Sequence, residues 1–529
     1  MTSILIEHGA NIAAIDWNQQ TPLHLAAKSG HSTVASILIS HGAHTTDIDK
    51  NQWTPLHLAA ESGQTAVVST LVQQGANTAA IDLNGQTPLH LASHSSDSAA
   101  ISILVKYGAN ITAIDSDQQT PLHLAVLSRN EEAIKVLLNL GADMLYPDNL
   151  RQPPVNYAAA FGSIGCIKAF IDAGFDINHQ EPCENRTVLH DAVKSNKIEI
   201  LDYLLRQEGS EIVVNARAIE GSTALHLAVC RDSGLECVRL LLQLGTNMGA
   251  MSNKGYTPGD LAIRGSDFSC LGVFIDAGFD TNIRSGIGVS SGSTILHEAI
   301  HVATPEGIKI LEYLLNKEGG KAIVDVQDDT GSTPLHLATG FGVFINLLNP
   351  LYGENQEKVT QEREKVKLLV QYEADLTIKD DLENTAADVA AYRGDVGRMQ
   401  PLVDCGLDFN SRGLCNRTIL DTAVFGGRKM LEYLLNQKGM KMIINARDSE
   451  GSTPLQLATL RSFEKEEMVG LLLHHGANPE GENSYWDQPI LDCAVQDVKG
   501  SAKKLLETLS LKFGEKGAIE FKNSYYGSF

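Results

Sequence analysis

Histidine is the residue in this chain best suited to chemistry near neutral pH, either as an acid–base catalyst or as a metal ligand, and 17 are present. Eight of them, His24, His57, His90, His123, His190, His226, His297 and His336, stand at one place in a recurring T-x-L-H tetrad. Identical placement in copy after copy points to a structural use, because a catalytic or metal site needs side chains converging on one pocket, which a repeat array with one contact neighbour per side does not offer. The aspartates Asp16, Asp49, Asp82 and Asp115 recur in the same way, and their short side chains suit turn formation. The eight cysteines, at 166, 183, 230, 237, 270, 405, 415 and 493, form no C-x-x-C and no zinc-finger spacing with histidine. Reduced thiols in an intracellular protein, cytoplasmic or nuclear, are expected. No P-loop, G-x-S-x-G or H-E-x-x-H occurs. Gly286 and Gly288, with Ser285, Ser290, Ser291 and Gly292, lack the lysine of a phosphate loop and read as a flexible finger. The expectation is no catalysis, no cofactor and no metal.

The elements that carry these residues repeat. T-P-L-H-L-A begins at Thr21, Thr54, Thr87 and Thr120, a spacing of 33 residues each time. Gly9, Gly42, Gly75, Gly108, Gly141 and Gly174 keep the same period, as do Asp16, Asp49, Asp82, Asp115 and Asp148. Weaker copies start at Pro153, Thr187, Thr223, Thr257, Thr294, Thr333, Thr385, Thr418, Thr453 and Pro489, for fourteen starts in all. Within one copy, Thr21 can cap a helix, Pro22 sits where a missing N–H costs nothing, and Gly30 permits the left-handed turn that ends the helix. A second helix over 31–40 follows, with Val34, Ile37 and Leu38 at helical spacing. Leu23, Leu25 and Ala26 are expected to face neighbouring helices. Two short helices cannot bury their apolar stripe alone, so each copy must lean on the next.

By this period and tetrad the chain resembles the ankyrin-repeat family over essentially its whole length. The resemblance implies an all-α solenoid of stacked helix-turn-helix units joined by β-hairpin-like finger loops. It also implies that the tetrad histidine bonds to the backbone between adjacent units. Partner proteins would be held on the concave surface made by finger tips and first helices.

Two domains are read from repeat regularity. Residues 1–152 hold regular 33-residue repeats, the first one partial, and 153–529 hold divergent repeats in an approximate three-repeat cycle. One type in the cycle carries a long second helix (LDYLLRQEG, LEYLLNKEG, LEYLLNQKG) followed by SEIVVNARAIEGS, GKAIVDVQDDTGS or MKMIINARDSEGS, which reads as an extended finger. An insertion at about 343–364 reads as a surface loop or a partner-specific docking element. The half-repeat at the start reads as a truncated gene model or a fragment.

The remaining expectations concern partners. The formal net charge of −22 sets the chain against nucleic-acid phosphates and anionic membranes and favours basic protein surfaces. No apolar stretch approaches the roughly 18 residues of a spanning helix. Positions that vary between matching repeats are the candidate contacts: Trp17, Gln20, Lys50, Trp53, Glu61, Leu83, Gln86, Ser93, His94, Asp117 and Leu127. Trp17 and Trp53 stand out, since tryptophan at a solvent-facing turn suits an interface anchor. The function expected is a monomeric interaction scaffold or adaptor. The alternative is the recognition segment of a larger signalling receptor or enzyme whose effector domain lies outside this chain.

Overall fold

The threonine that opens most motif copies, followed by proline in the T-P copies, does open a helix among the described residues. In a computed structural model of the chain, residues 1–95, 98–231, 234–265, 268–284, 292–302, 304–317, 320–340, 356–461 and 464–478 are described, 356–359 by their backbone alone. The candidate loop at 285–291, most of the insertion, and the repeat starting at Pro489 lie outside these residues. Among the described residues the secondary structure is helical, and β pairing is limited to isolated bridges such as Lys379 with Thr385. The chain forms two compact units, Met1–Asn253 and Lys254–Phe529.

In the first unit, short first helices (Pro22–Lys28, Pro55–Glu61, Pro88–His94, Pro121–Leu127) alternate with second helices (Ser32–Ser40, Thr65–Gln73, Ala99–Lys106, Glu131–Asn139). First helices pack on first helices and second on second. Leu56, Leu89 and Leu122 are wholly buried between them, and Ala59, Ala92 and Ala125 let the backbones approach. Leu25 departs from its expected role, being 45% exposed while Leu58, Leu91 and Leu124 are buried. The helix ahead of it, Thr2–Glu7, packs on Ser32–Ser40, so no first helix covers that side of Pro22–Lys28. The same pairing continues in the second unit through Pro258–Arg264, Ile295–His301, Pro334–Gly340, Ala386–Arg393, Ile419–Gly426 and Pro454–Thr459.

The long fingers differ from the extended form expected of them. One helical turn follows each long second helix: Ser210–Val213, Gly320–Ile323 and a 3-10 turn at Met440–Met442. Val213 and Val214, Ile323 and Val324, and Ile443 and Ile444 are adjacent residues that are both buried. An extended strand sends neighbours to opposite faces, whereas a helical turn can aim both inward. Gly209, at φ +86°, and Gly439, at φ +102°, supply the reversal that starts two of these turns. Just beyond, the carboxamides or carboxylate of Asn215, Asp325 and Asn445 accept the backbone N–H of Asn247, Asp375 and Asn478 in the next repeat, at 2.7–2.9 Å.

The charged end of the insertion is part of the packing. Its helix, Gln356–Gln371, seats the buried Lys365, whose Nζ donates to the carbonyls of Ile300 (2.6 Å) and Val302 at the end of Ile295–His301. Arg363 pairs with Asp395 at 2.8 Å, and the buried Arg398 reaches Glu362 and Asp395.

Candidate interaction surface

The tetrad histidines form a latch between repeats. In the second full repeat the Thr54 N–H donates to His57 Nδ1 (3.1 Å) and the Thr54 hydroxyl lies 2.9 Å from the same nitrogen. A backbone N–H can only donate, so Nδ1 is an acceptor and the proton resides on Nε2. That Nε2 then donates to the carbonyl of Gln86 in the following repeat at 3.2 Å. His24, His90, His123, His190, His297 and His336 repeat the geometry toward the carbonyls of Trp53, Gln119, Gln152, Ser222, Ser332 and Asn384, at 3.0–3.3 Å. Each ring is spent on capping its own helix and tying down the next finger. Burial pushes all of these imidazoles below their ordinary pKa, His190 to about 4.

Several repeats carry another residue at the latch position. Asp260, Asp388 and Asp421 accept the cap threonine's N–H and hydroxyl at 2.7–3.0 Å, but a carboxylate has no proton to pass to the next repeat. Asp421 Oδ1 is buried without a hydrogen-bond partner, and burial raises this carboxyl to about 6. The matching repeat at Thr294 shares the T-I-L start and has His297 bonded to Ser332, whose counterpart one finger after Asp421 is Ser452. Asp421→His should therefore raise stability at pH 7.5 by about 1–2 kcal/mol, read as a higher urea midpoint. A lower midpoint would show that the imidazole does not reach Ser452.

The fingers are built from the recurring aspartates. Asp16 Oδ1 accepts the N–H groups of Asn18 and Gln20, both at 2.8 Å, and Asp49, Asp82, Asp115 and Asp148 do the same for their own turns. Consecutive tips are joined by backbone bonds from Lys50 to Asn18, Ser116 to Asn84 and Asn149 to Asp117, at 2.9–3.0 Å. No group of three acidic, histidine or cysteine side chains that could hold a metal occurs among the described residues.

Onto this frame the candidate contacts divide into two sets. Trp17 is 94% exposed, and Glu61, Leu83, His94 and Leu127 are also on the surface. Lys50 is exposed, with its ammonium 2.6 Å from Asn18 Oδ1, and exposed Asp117 accepts from the Asn149 side chain at 3.2 Å. Gln20, Trp53 and Gln86 are half-buried and tie finger to finger. Their side-chain N–H groups donate to Asp49 (3.0 Å), Asp82 (2.9 Å) and Asp115 (3.4 Å) of the next repeat. Ser93 is buried, not exposed as its phase suggested, because its hydroxyl turns back to the Leu89 carbonyl at 2.7 Å.

A family model described as ankyrin repeats (three copies) matches residues 1–82, 76–148, 144–216 and 387–483, and a single ankyrin repeat matches 220–253. The chain belongs to the ankyrin-repeat family. The relatives it resembles are diverse. The chain is 32% identical over 159 residues to the nuclear factor NF-kappa-B p105 subunit of Gallus gallus, covering 30% of this chain and 15% of that protein. It is 26% identical over 340 residues to the E3 ubiquitin-protein ligase KEG of Arabidopsis thaliana, covering 52% and 20%. With ankyrin repeat and SOCS box protein 3 of Homo sapiens the figures are 32% over 154 residues, 29% and 28%. The match thus covers less than a third of the length of each of these relatives. No described helix is long and apolar enough to cross a membrane.

Proposed function

We propose that this ankyrin-repeat chain is a scaffold that holds partner proteins on its finger tips and first-helix ends, contributes no catalytic group, and acts as a monomer inside the cell, in cytoplasm or nucleus. The observation that carries the reading is Trp17, whose indole stands 94% exposed on a finger while the tetrad histidines are consumed by internal bonds. The net charge of −22 supports partners with basic surfaces over nucleic acid or anionic membrane. A second reading, that the chain is the recognition segment of a larger signalling receptor or enzyme, draws on the ubiquitin ligase among its relatives and the small share of each relative matched.

Crosslinking mass spectrometry from native extract tests the scaffold reading. Crosslinked partner peptides should map to fingers such as 16–20 and 49–53 and to first-helix ends such as Lys28 and Glu61. Trp17→Ala should deplete those partners without moving the urea midpoint, because the side chain is almost free of the fold. An unchanged partner list, or crosslinks confined to second-helix lysines such as Lys106 and Lys135, would overturn it.

A further inference from the structure

The stem residue just ahead of the finger turn changes in kind along the chain. In four of the later repeats its side chain reaches the next repeat, while Pro147 and Met251 have no side-chain donor and Lys379 and Arg447 bond to Glu383 and Gly451 of their own fingers. Gln180 donates to the carbonyl of Arg217 (3.2 Å), Arg217 to that of Met251 (2.6 Å), Gln327 to that of Lys379 (2.9 Å) and Arg412 to that of Arg447 (3.5 Å). Every acceptor occupies the same stem position one repeat on. In the first four fingers this position is Ile15, Ile48, Ile81 and Ile114, each between 44% and 64% exposed. Isoleucine can donate nothing, so these repeats forgo the cross-link and present an apolar row to solvent. Trp17 and Leu83, two residues on, widen the row at two of its fingers. A row of exposed large apolar side chains recurring at one place in successive repeats suits a contact site.

Resting on the scaffold reading, we propose that the isoleucine row seats a basic amphipathic helix of a partner protein, lying along the row with one large apolar residue per finger. Stacked repeats advance by about 8–10 Å, the spacing of packed helices. Seven residues of an α-helix advance about 10.5 Å and return the side chain to within about 20° of the same face. An extended strand covers that distance in about three residues, which sends successive side chains to opposite faces. Charge selects the flanks of the helix. Residues 10–20, 43–53, 76–86 and 109–119 carry six aspartates against the single cation Lys50. Lysine and arginine beside the apolar stripe complement that field.

The test titrates the full chain with a synthetic peptide of about 23 residues, leucine at every seventh position and lysine-rich between, beside a scrambled peptide of equal composition. The triple variant Ile48→Gln, Ile81→Gln, Ile114→Gln installs the residue that later repeats use at this position, so its urea midpoint should hold. The heptad peptide should bind with a gain of helical circular dichroism. The scrambled peptide should bind at least about tenfold more weakly, and the triple variant should lose at least about tenfold. Equal affinity for the scrambled peptide, binding without added helicity, binding unaffected by the triple variant, or no binding each overturns the helix proposal. If Trp17-dependent crosslinks persist in that case, the scaffold reading stands without it. If the peptide binds while native partners crosslink only to second helices, the scaffold reading falls instead.

Discussion

Acidification from pH 7.5 to 5 is expected to open the repeats starting at Thr21, Thr54, Thr87 and Thr120 before those starting at Thr385 and Thr418. In the first group, His24, His57, His90 and His123 are held neutral by burial, and Nδ1 faces a backbone N–H that would oppose a second proton. The unfolded chain takes up protons at these rings near pH 6.5 and the folded chain does not, so stability is lost as pH falls below that value. At Thr187 the two effects meet. His190, depressed to about 4, costs of the order of 2 kcal/mol by pH 5, while Asp191, raised to about 6, returns roughly 1 kcal/mol. The Thr385 and Thr418 repeats have aspartate in place of the ring. The carboxyls of Asp388 and Asp421 are raised by burial, so the folded state binds the proton more tightly and gains stability as pH falls through that range. Hydrogen exchange, corrected for intrinsic rates, should show protection falling over 21–140 and holding over 385–430. Uniform loss, or the reverse order, would refute the assignment of neutral buried rings.

Replacing one ring measures the latch directly. His57→Ala should cost about 3 kcal/mol, since it removes a wholly buried side chain, uncaps Thr54 and orphans the Gln86 carbonyl. His57→Gln should cost about half as much. Gln456 already fills this position in the repeat at Thr453, where its Oε1 accepts the Thr453 N–H at 2.7 Å. Urea midpoints should therefore fall in the order wild type, His57→Gln, His57→Ala. If glutamine is no better than alanine, the bond across repeats, and not the cap, carries the stability.

The helix pairs were legible because three markers keep one period and each marker has a local job: cap threonine, helix-ending glycine, turn aspartate. The finger surface was only partly legible. Phase places Trp17 and Trp53 at similar turns, yet the two residues sit at different points of the turn. Trp53 occupies the site of Gln20 and Gln86, from which the side chain reaches the next aspartate, while Trp17 lies three places before that site and stands 94% exposed. The long fingers defeated reading by alternation, because a run as short as I-V-V-N fits both an extended chain and one helical turn. Lys365 and Arg398 sit among charged residues in sequence, and only tertiary placement reveals that they are buried against carbonyls and carboxylates. The isoleucines ahead of each finger turn attract no notice until the later repeats show what that position otherwise does.

The latch has a one-sided design. The imidazole and its cap threonine belong to the earlier member of each pair, and the later member offers only a main-chain oxygen, which every amino acid possesses. A newcomer spliced behind a histidine-bearing module needs no matching side chain to be gripped. Duplication, loss or exchange of modules can thus proceed without coordinated change at the seam. The same indifference leaves outward residues such as Ile48 and Ile81 free to diverge without disturbing the joint that holds them.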